Sequence, residues 1–357
     1  MSSSEMAVFP LGRSRAVIMA GGLALGLALA TGAVQAEPGI DKNAKVGAGL
    51  YEIVVDTTDN LVYVAAAGRR GDTEAFIYGL DPETLEVEKT IEVSAAAAFG
   101  LGINQKTQTL FTSNTRADSV SVIDLKEGKV LNTIANESRA HGREIVVDED
   151  ANLAYVSMVG GRGATGKIWV IDGAKAEMVE VIDDVGIGVT GLALDKARNR
   201  IYATDMTTNQ IAVVDLAEKK VVERWTAGGE SPINASLDAE TNRLFVTNQG
   251  SGTLTVFDTE TGEIVKTIPT GEGALGVRFD PVSNVVFVAN RRAGTVSVVD
   301  AESLEVVANL ATGTHPNTIA VDPRSGVAYV SNKAKSGGRN APPVDDPNGD
   351  TVTRIVP

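Results

Sequence analysis

Apolar and polar residues alternate in short runs along most of the chain, and the runs recur every 42 to 48 residues. Each repeat holds an apolar strand ending in Asp or Asn, a turn, and a second strand with an aromatic residue seven positions later. Such alternation between turn-forming residues is typical of antiparallel hairpins of constant register. The strand-ending residues are Asp56, Asn104, Asp148, Asp195, Asp238, Asp280 and Asp322, and the aromatic residues are Tyr63, Phe111, Tyr155, Tyr202, Phe245, Phe287 and Tyr329.

A third apolar run follows each hairpin, and a turn such as DTETGEI then leads into a fourth run. Four short strands in a unit of roughly 40 to 45 residues are typical of one blade of a β-propeller. A single blade cannot bury both faces of its sheet, whereas seven blades in a ring can. The pattern therefore predicts an all-β protein, a seven-bladed β-propeller of four-stranded antiparallel blades.

The ends of the chain suggest how the ring closes. The seventh repeat stops at its third strand, Thr351–Val356, and the chain offers no fourth strand after it. Gly47 stands nine residues before Asp56, and the repeats ahead of Asp238, Asp280 and Asp322 also have glycine at that position. We therefore expect Lys42–Gly47 to supply the outer strand of the last blade, which would remove a free sheet edge.

The first 36 residues have the pattern of an export signal. Arg13 and Arg15 precede an apolar run at residues 16–30, and small residues at 34–36 resemble a cleavage site. The run is shorter than the roughly 20 residues of a membrane span, although a retained anchor is the alternative. We expect residues 1–36 to be removed after Ala36, leaving residues 37–357 as one soluble propeller domain without membrane insertion in a bacterial periplasm.

Charge and composition exclude several kinds of site. The chain has no cysteine, which excludes disulfides, thiolate metal sites, c-type haem attachment and cysteine nucleophiles. Its formal net charge is −14, and loss of residues 1–36 would leave about −15. Such a charge disfavours nonspecific attraction to nucleic acid or anionic lipid, so only a local basic patch would reverse it.

Several short segments resemble a known repeat family. YVSN at 329–332, FVTN at 245–248 and FVAN at 287–290 are similar to the YVTN repeat. Together with GLYEIVVD, TGLALD, INASLD, GTVSVVD and THPNTIAVD, they make the chain resemble the YncE-like seven-bladed propellers of bacterial periplasms. The resemblance implies a non-enzymatic binding scaffold with nucleic acid among its candidate ligands, but propellers host many functions.

Loop lengths single out one face of the predicted ring, here called the top face. It carries the loops between second and third strands and the loops between blades. From the aromatic residue to the Asp that ends the third strand there are 13 residues in blades two, four, five and six, 18 in blade one and 17 in blade three. Blade seven has a longer insertion, residues 333–349. Variable loops are where binding sites usually lie.

Basic residues are frequent on this face and suggest a crescent that binds an anionic ligand. Arginine forks suit phosphate groups and stack on bases, so single-stranded DNA is one candidate. Acidic residues such as Asp72 and Asp118 share the face, and an ordinary mixed surface is the alternative. The candidate basic residues are Arg69, Arg70, Arg116, Arg143, Arg162, Arg291, Arg292, Lys333 and Lys335.

The mouth of the central channel supplies further candidates. The residues five positions before the strand-ending Asp or Asn should form a ring there: Tyr51, Phe99, Arg143, Thr190, Ile233, Leu275 and Asn317. His141 and His315 share a position two residues earlier. They are expected about 150° apart around the axis, too far to share a metal ion, and they serve either a ligand or the backbone between blades. No metal or cofactor is expected.

Three functions remain open from the residues alone. The first is binding of an anionic polymer at the top face, and the second is a scaffold for an envelope protein. The third is a propeller enzyme, which we do not expect because no nucleophile and base pair can be identified from spacing. Glu52 and Glu144 occupy equivalent first-strand positions and would either serve a cation or be structural.

Overall fold

The alternating runs form strands that assemble into seven antiparallel sheets. A computed structural model describes residues 37–69, 71–135, 140–160, 164–336 and 344–356, and in this part of the chain each sheet has four strands. The predicted all-β class and seven-bladed propeller are confirmed. The predicted signal peptide, residues 1–36, lies outside the described residues. In the described ranges no helix is long and apolar enough to span a membrane.

The strands follow one another from the channel to the rim in each blade. Blade one contains β2 (Leu50–Asp56), β3 (Leu61–Ala66), β4 (Phe76–Leu80) and β5 (Val87–Glu92). Blade two contains β6 (Gly100–Asn104), β7 (Thr109–Asn114), β8 (Ser119–Asp124) and β9 (Lys129–Ala135). Blade three contains β10 (Gly142–Asp148), β11 (Leu153–Met158), β12 (Gly166–Asp172) and β13 (Glu177–Gly186).

The remaining four blades repeat this order. Blade four contains β14 (Val189–Asp195), β15 (Arg200–Asp205), β16 (Gln210–Asp215) and β17 (Lys220–Thr226). Blade five contains β18 (Pro232–Asp238), β19 (Arg243–Asn248), β20 (Thr253–Asp258) and β21 (Ile264–Pro269). Blade six contains β22 (Ala274–Asp280), β23 (Val285–Asn290), β24 (Thr295–Asp300) and β25 (Val306–Ala311). Blade seven contains β26 (Pro316–Val321), β27 (Ala328–Asn332), β28 (Thr351–Val356) and β1 (Gly39–Lys45).

The N-terminal strand closes the ring as the sequence predicted. β1 pairs antiparallel with β28, with Lys42 opposite Arg354 and Lys45 opposite Thr351. It begins at Gly39, three residues before the predicted start, because β28 continues to Val356 and offers a partner there. The last blade therefore joins both ends of the chain, and the edge of β28 is covered.

Apolar side chains pack between neighbouring blades. Leu50 and Val64 of blade one, for example, share a buried cluster with Tyr329 of blade seven. The seven repeated aromatic residues are all buried, with exposed fractions between 0 and 8%. Because each cluster draws on two blades, no blade can bury its apolar surface alone.

The repeated polar residues stabilise turns and hold strands together. Asp280 Oδ1 accepts a hydrogen bond from the amide of Val282 at 2.9 Å, and the equivalent aspartates make similar bonds at their own turns. Asn290 Nδ2 donates to Thr295 Oγ1 at 3.2 Å and Ser297 Oγ at 2.8 Å, across the β23–β24 pair. The Asn of the repeat thus links two strands.

Bulges in the first strands turn extra side chains toward the channel. The pairing of β2 with β3 shifts register between Leu50 and Ile53, and that of β10 with β11 shifts between Gly142 and Ile145. Regular strands point successive side chains to opposite faces, and a bulge re-aims them. Tyr51 and Glu52 consequently both face the channel.

Candidate functional site

The central channel widens into two cavities. The upper one, at the top face, has a volume of about 310 Å³, and the lower one about 550 Å³. Four side chains line both cavities and so mark a waist between them: Glu52, Glu144, Asn234 and Thr318. All seven residues of the predicted mouth ring line the upper cavity. We call this upper cavity the channel mouth.

An aromatic pair covered by two cations forms one side of the channel mouth. The rings of Tyr51 and Phe99 meet edge to face with their centroids 4.5 Å apart. The Arg116 guanidinium lies 5.0 Å from the centroid of Phe99, and Lys333 Nζ lies 3.4 Å from that of Tyr51. Such cation–π contacts hold positive charge beside flat apolar surface.

Backbone carbonyls hold Arg116 in this position. Its guanidinium donates to the carbonyl oxygens of Ala67 at 3.1 Å and Gly68 at 3.3 Å, in the loop that follows β3. Neutral oxygens leave the positive charge uncompensated, so Arg116 still attracts anions.

Two more arginines face the channel mouth from blades three and six. Arg143 lines the channel mouth and is accessible from the lumen, and among the described residues its guanidinium has no hydrogen-bond or ion-pair partner. Arg291 Nη1 donates to Asn317 Oδ1 of the neighbouring blade seven. Burial lowers the pKa of both guanidinium groups, but arginine remains charged in proteins. Their donors are therefore available to an anion.

Lys333 is the most perturbed cation of the channel mouth. Burial, together with repulsion from Arg291 and Arg116, lowers the pKa of its amine to about 7. Asp350 opposes this shift from nearby. That carboxylate is engaged elsewhere, since Oδ1 accepts from the amides of Gly49 at 3.0 Å and Ala334 at 3.2 Å.

Two carboxyl groups lie beneath these cations at the waist. Burial, followed by repulsion from Glu144, raises the pKa of Glu52 to about 8. Burial raises the pKa of Glu144 to about 7, against the opposing charges of Arg278 and Arg143. Both carboxyls thus keep their protons to a higher pH than exposed glutamates do, and because the two groups interact they titrate as a unit.

Arg116 contacts Phe99 but does not itself line the channel mouth, and the other predicted ligand residues also lie outside that lining. Arg69 is 3.6 Å from Asp350 Oδ2, and Arg292 is 3.8 Å from Glu272 Oε1 with 59% of its side chain exposed. Lys335 donates its backbone amide to Asp346. Arg70 and Arg162 lie outside the described residues, so their prediction stays open.

The two histidines occupy a strained backbone position in the loops that precede the innermost strands of blades three and seven. His141 and His315 have φ of 50° and 45°, and Gly49, Ser231 and Gly273 at the equivalent position are also left-handed. His141 Nδ1 lies 3.3 Å from the carbonyl oxygen of Thr115. Neither ring lines the channel mouth, and among the described residues no group of three or more His, Asp or Glu could hold a metal ion.

Sequence analysis missed two charged residues of the site. Arg278 of β22 lines the lower cavity and acts electrostatically on Glu52 and Glu144, and Asp350 is buried beside the channel mouth with 1% exposure. Arg278 left a signal, because it is the one charged residue two positions before a strand-ending Asp or Asn. Asp350 had no signal, because it follows the long insertion of the last blade.

The comparisons with known proteins agree with this architecture. Residues 183–335 match the model of the family "YNCE-like beta-propeller". By this match the chain resembles the YncE-like β-propellers, and the matched residues make up less than half of it. It is 36% identical over 169 residues to the uncharacterized protein YncE of Escherichia coli (strain K12), a match over 45% of this chain and 47% of the relative. YncE of Salmonella typhi matches with the same values. The matched segment of this YncE-like chain thus spans about half the length of these curated relatives.

A solved structure shares the fold of this YncE-like chain. Hydrazine synthase of Kuenenia stuttgartiensis superposes with a TM-score of 0.65 over 79% of this chain and 92% of that one. The two are 17% identical in sequence. At that identity the likeness speaks for the propeller fold alone.

Proposed function

We propose that this YncE-like propeller is a non-enzymatic binding protein that takes an anionic ligand at its channel mouth, with single-stranded nucleic acid as the favoured class. The observation that carries the proposal is the cluster of Arg116, Arg143, Arg291 and Lys333 around the Tyr51–Phe99 pair. Single-strand binding sites combine positive charge for the phosphates with aromatic rings on which bases stack.

The size of the channel mouth favours a single strand over a duplex. At about 310 Å³ the cavity is near the lower limit of small-ligand sites. A base and its phosphate can enter such a cavity from a flexible strand, whereas the paired bases of a duplex cannot leave their stack without cost. The ligand is therefore expected to insert one nucleotide and lay the adjoining phosphates on the top face.

Because the chain is acidic overall, binding of a polyanion depends on the local positive charge at the channel mouth. At −14 the molecule as a whole repels a polyanion, so binding must depend on the few cations at the channel mouth. Binding of this kind weakens steeply with salt, because each neutralised phosphate releases counterions.

Two adjacent arginines provide a matched test. Arg291 lines the channel mouth, while Arg292 lies outside it beside Glu272. We would measure the fluorescence anisotropy of a labelled single-stranded oligonucleotide with wild-type protein, Arg291→Gln and Arg292→Gln across a salt series. Arg291→Gln should weaken binding by about 1 to 2 kcal/mol, roughly 5- to 30-fold, and Arg292→Gln should leave it near wild type.

The results separate the alternatives. Equal losses in both variants would move the site from the channel mouth to the broader basic crescent. No binding by wild-type protein at low salt would refute the nucleic-acid proposal.

A protein scaffold is the second candidate, and one observation favours it. Apolar side chains are exposed on the outer strands of several blades, including Leu131, Val265 and Val307 with exposed fractions of 52, 50 and 55%. We propose a periplasmic location on the strength of the leader-like pattern of residues 1–36. Crosslinking in the periplasm would identify an envelope partner if oligonucleotide binding fails.

A further inference from the structure

Lys333 differs from the other lysines in its surroundings. The ammonium groups of Lys89, Lys196 and Lys266 each pair with a surface carboxylate. Lys333 Nζ instead lies above the ring of Tyr51, within the channel mouth, and in the described part of the chain it has neither a hydrogen-bond acceptor nor an ion-pair partner. When the amine is neutral, its lone pair therefore has no competing interaction and is available to a reactant.

Burial and the nearby arginines favour the neutral form of this amine, against the opposing effects of Asp350 and the Tyr51 ring. Arg291 and Arg116 repel a charge on Nζ, and burial removes the water that would stabilise that charge. A lysine that is desolvated beside other cations is the usual form of an amine nucleophile. The same arginines would attract and orient an anionic reactant.

We propose that Lys333 is a nucleophilic amine that forms a reversible imine with small aldehydes or ketones carrying a phosphate or carboxylate group. The anionic group would lie between Arg143 and Arg291, and the carbonyl carbon would face Nζ. This inference rests on the proposed function only in placing an anion among these arginines. It adds a covalent step that nucleic-acid binding does not need.

The step is balanced without any oxidant or reductant. The Nζ lone pair forms a bond to the carbonyl carbon, and the carbonyl oxygen takes up a proton to give a carbinolamine. The carbon–oxygen bond then breaks, and the oxygen leaves as water with the two hydrogens that the amine has lost. The product is a carbon–nitrogen double bond, and water reverses the reaction.

Pyridoxal 5′-phosphate is a suitable probe, because it is an aldehyde with a phosphate group. Protein would be incubated with the probe, reduced with borohydride and mapped by peptide mass spectrometry. Lys333 should be labelled at least about ten-fold faster than exposed lysines such as Lys126. At pH 7 about half of the Lys333 amines are unprotonated, against fewer than about one in a thousand for an ordinary lysine. Pyridoxine 5′-phosphate, which lacks the aldehyde, should protect Lys333 from labelling and leave no adduct.

Two variants test the assignment. Lys333→Arg should lose the fast-labelled peptide and keep the slow labelling elsewhere. Arg291→Gln removes a repelling charge, so the pH midpoint of Lys333 labelling should rise above that of wild type. Labelling spread evenly over surface lysines, or a pH midpoint near that of ordinary lysines, would overturn the proposal.

The same preparation would also be tested with the labelled oligonucleotide. Protein that binds the oligonucleotide but is not labelled at Lys333 refutes the imine and leaves the proposed function standing. Protein that is labelled at Lys333 but does not bind the oligonucleotide supports the imine and refutes the nucleic-acid proposal.

Discussion

The rings of Tyr51 and Phe99 meet edge to face across the boundary between blades one and two, with their centroids 4.5 Å apart. Each also carries a cation on its surface, Lys333 for Tyr51 and Arg116 for Phe99. A nucleobase that entered the channel mouth would meet this pair, and stacking depends on ring surface whereas phosphate contacts depend on charge.

Phe99→Leu should therefore weaken oligonucleotide binding by about 1 to 3 kcal/mol while leaving its salt dependence unchanged. Anisotropy titrations at several salt concentrations measure both quantities. Phe76→Leu is the matched control, since Phe76 pairs with Tyr78 away from the channel mouth. A change in the salt slope for Phe99→Leu, or equal losses in the two variants, would contradict stacking at this site.

Anion binding at the channel mouth should weaken as the pH rises. Lys333, with a pKa of about 7, loses its positive charge, and Glu52 and Glu144, with pKa values of about 8 and about 7, gain negative charge. Both changes oppose an anion, so affinity should fall between about pH 6 and pH 9 at constant ionic strength.

Glu144→Gln removes one of the two waist carboxyls and should make this decline shallower. Titrations of the same oligonucleotide at fixed ionic strength compare the two profiles. A flat wild-type profile would show that the ligand lies outside the field of these groups.

The buried carboxyl of Glu52 should make stability depend on pH in a defined direction. Its folded-state pKa of about 8 lies above its ordinary value of 4.5, so the folded protein binds more protons than the unfolded chain between these values. The contribution of Glu52 to the free energy of unfolding is fully present below the pKa of the unfolded chain. It is lost as the pH rises through the pKa of the folded protein.

Glu52→Gln keeps the shape of the side chain and removes the titration. We expect the variant to exceed wild type in free energy of unfolding by about 1 to 3 kcal/mol at about pH 8.5, and to match it at about pH 5. Urea unfolding at the two pH values tests this. The lowered pKa of Lys333 also makes the free energy of unfolding depend on pH above neutrality. It does so in both proteins, so its effect largely cancels when the variant is compared with wild type. A variant that is less stable by the same amount at both pH values would show that hydrogen bonding of Glu52, and not its charge, governs its role.

The glycine that stands nine residues before the strand-ending Asp in several blades should be intolerant of a side chain. A Cβ on Gly271 would lie 2.7 Å from Asn290 Cγ, and that amide is held by Thr295 and Ser297. Gly271→Ala should therefore cost about 1 to 3 kcal/mol of unfolding free energy.

Gly39→Ala is its control, because the nearest atom to a Cβ there is the carbonyl oxygen of Glu37 at 3.9 Å. This change should stay within about 0.5 kcal/mol of wild type. Thermal unfolding of both variants compares them, and a tolerant Gly271 would mean that the Asn side chain can move without loss of its bonds.

Much of the fold could be predicted because its rules are local and repeated. The seven-residue offset from Asp280 to Phe287 is set by one hairpin and recurs in every blade, so the number of blades and the closing role of β1 followed. The mouth ring was also predictable, since one position per repeat must face the axis of a closed ring. Its members line a single cavity, as the spacing indicated.

Charge placement was harder to predict from spacing. Arg291 and Arg292 are consecutive residues of the same type. Arg291 nevertheless faces the channel mouth, whereas Arg292 pairs with Glu272 outside it. The direction of each side chain depends on the loop conformation, which the repeat pattern does not specify. Asp350 likewise reaches the site only because the last blade brings Gly49 and Ala334 together around it.

The sequence by itself determined the strands, their number and their order, because alternation of apolar residues and turn chemistry act over a few residues at a time. Only the tertiary structure decided that Glu52 and Glu144, two blades apart, share one buried waist, and that Lys333 lies over Tyr51 among arginines. Closing the ring converts equivalent sequence positions into neighbours around one axis. Burial there changes the pKa values of these groups, and no local pattern in the chain contains that information.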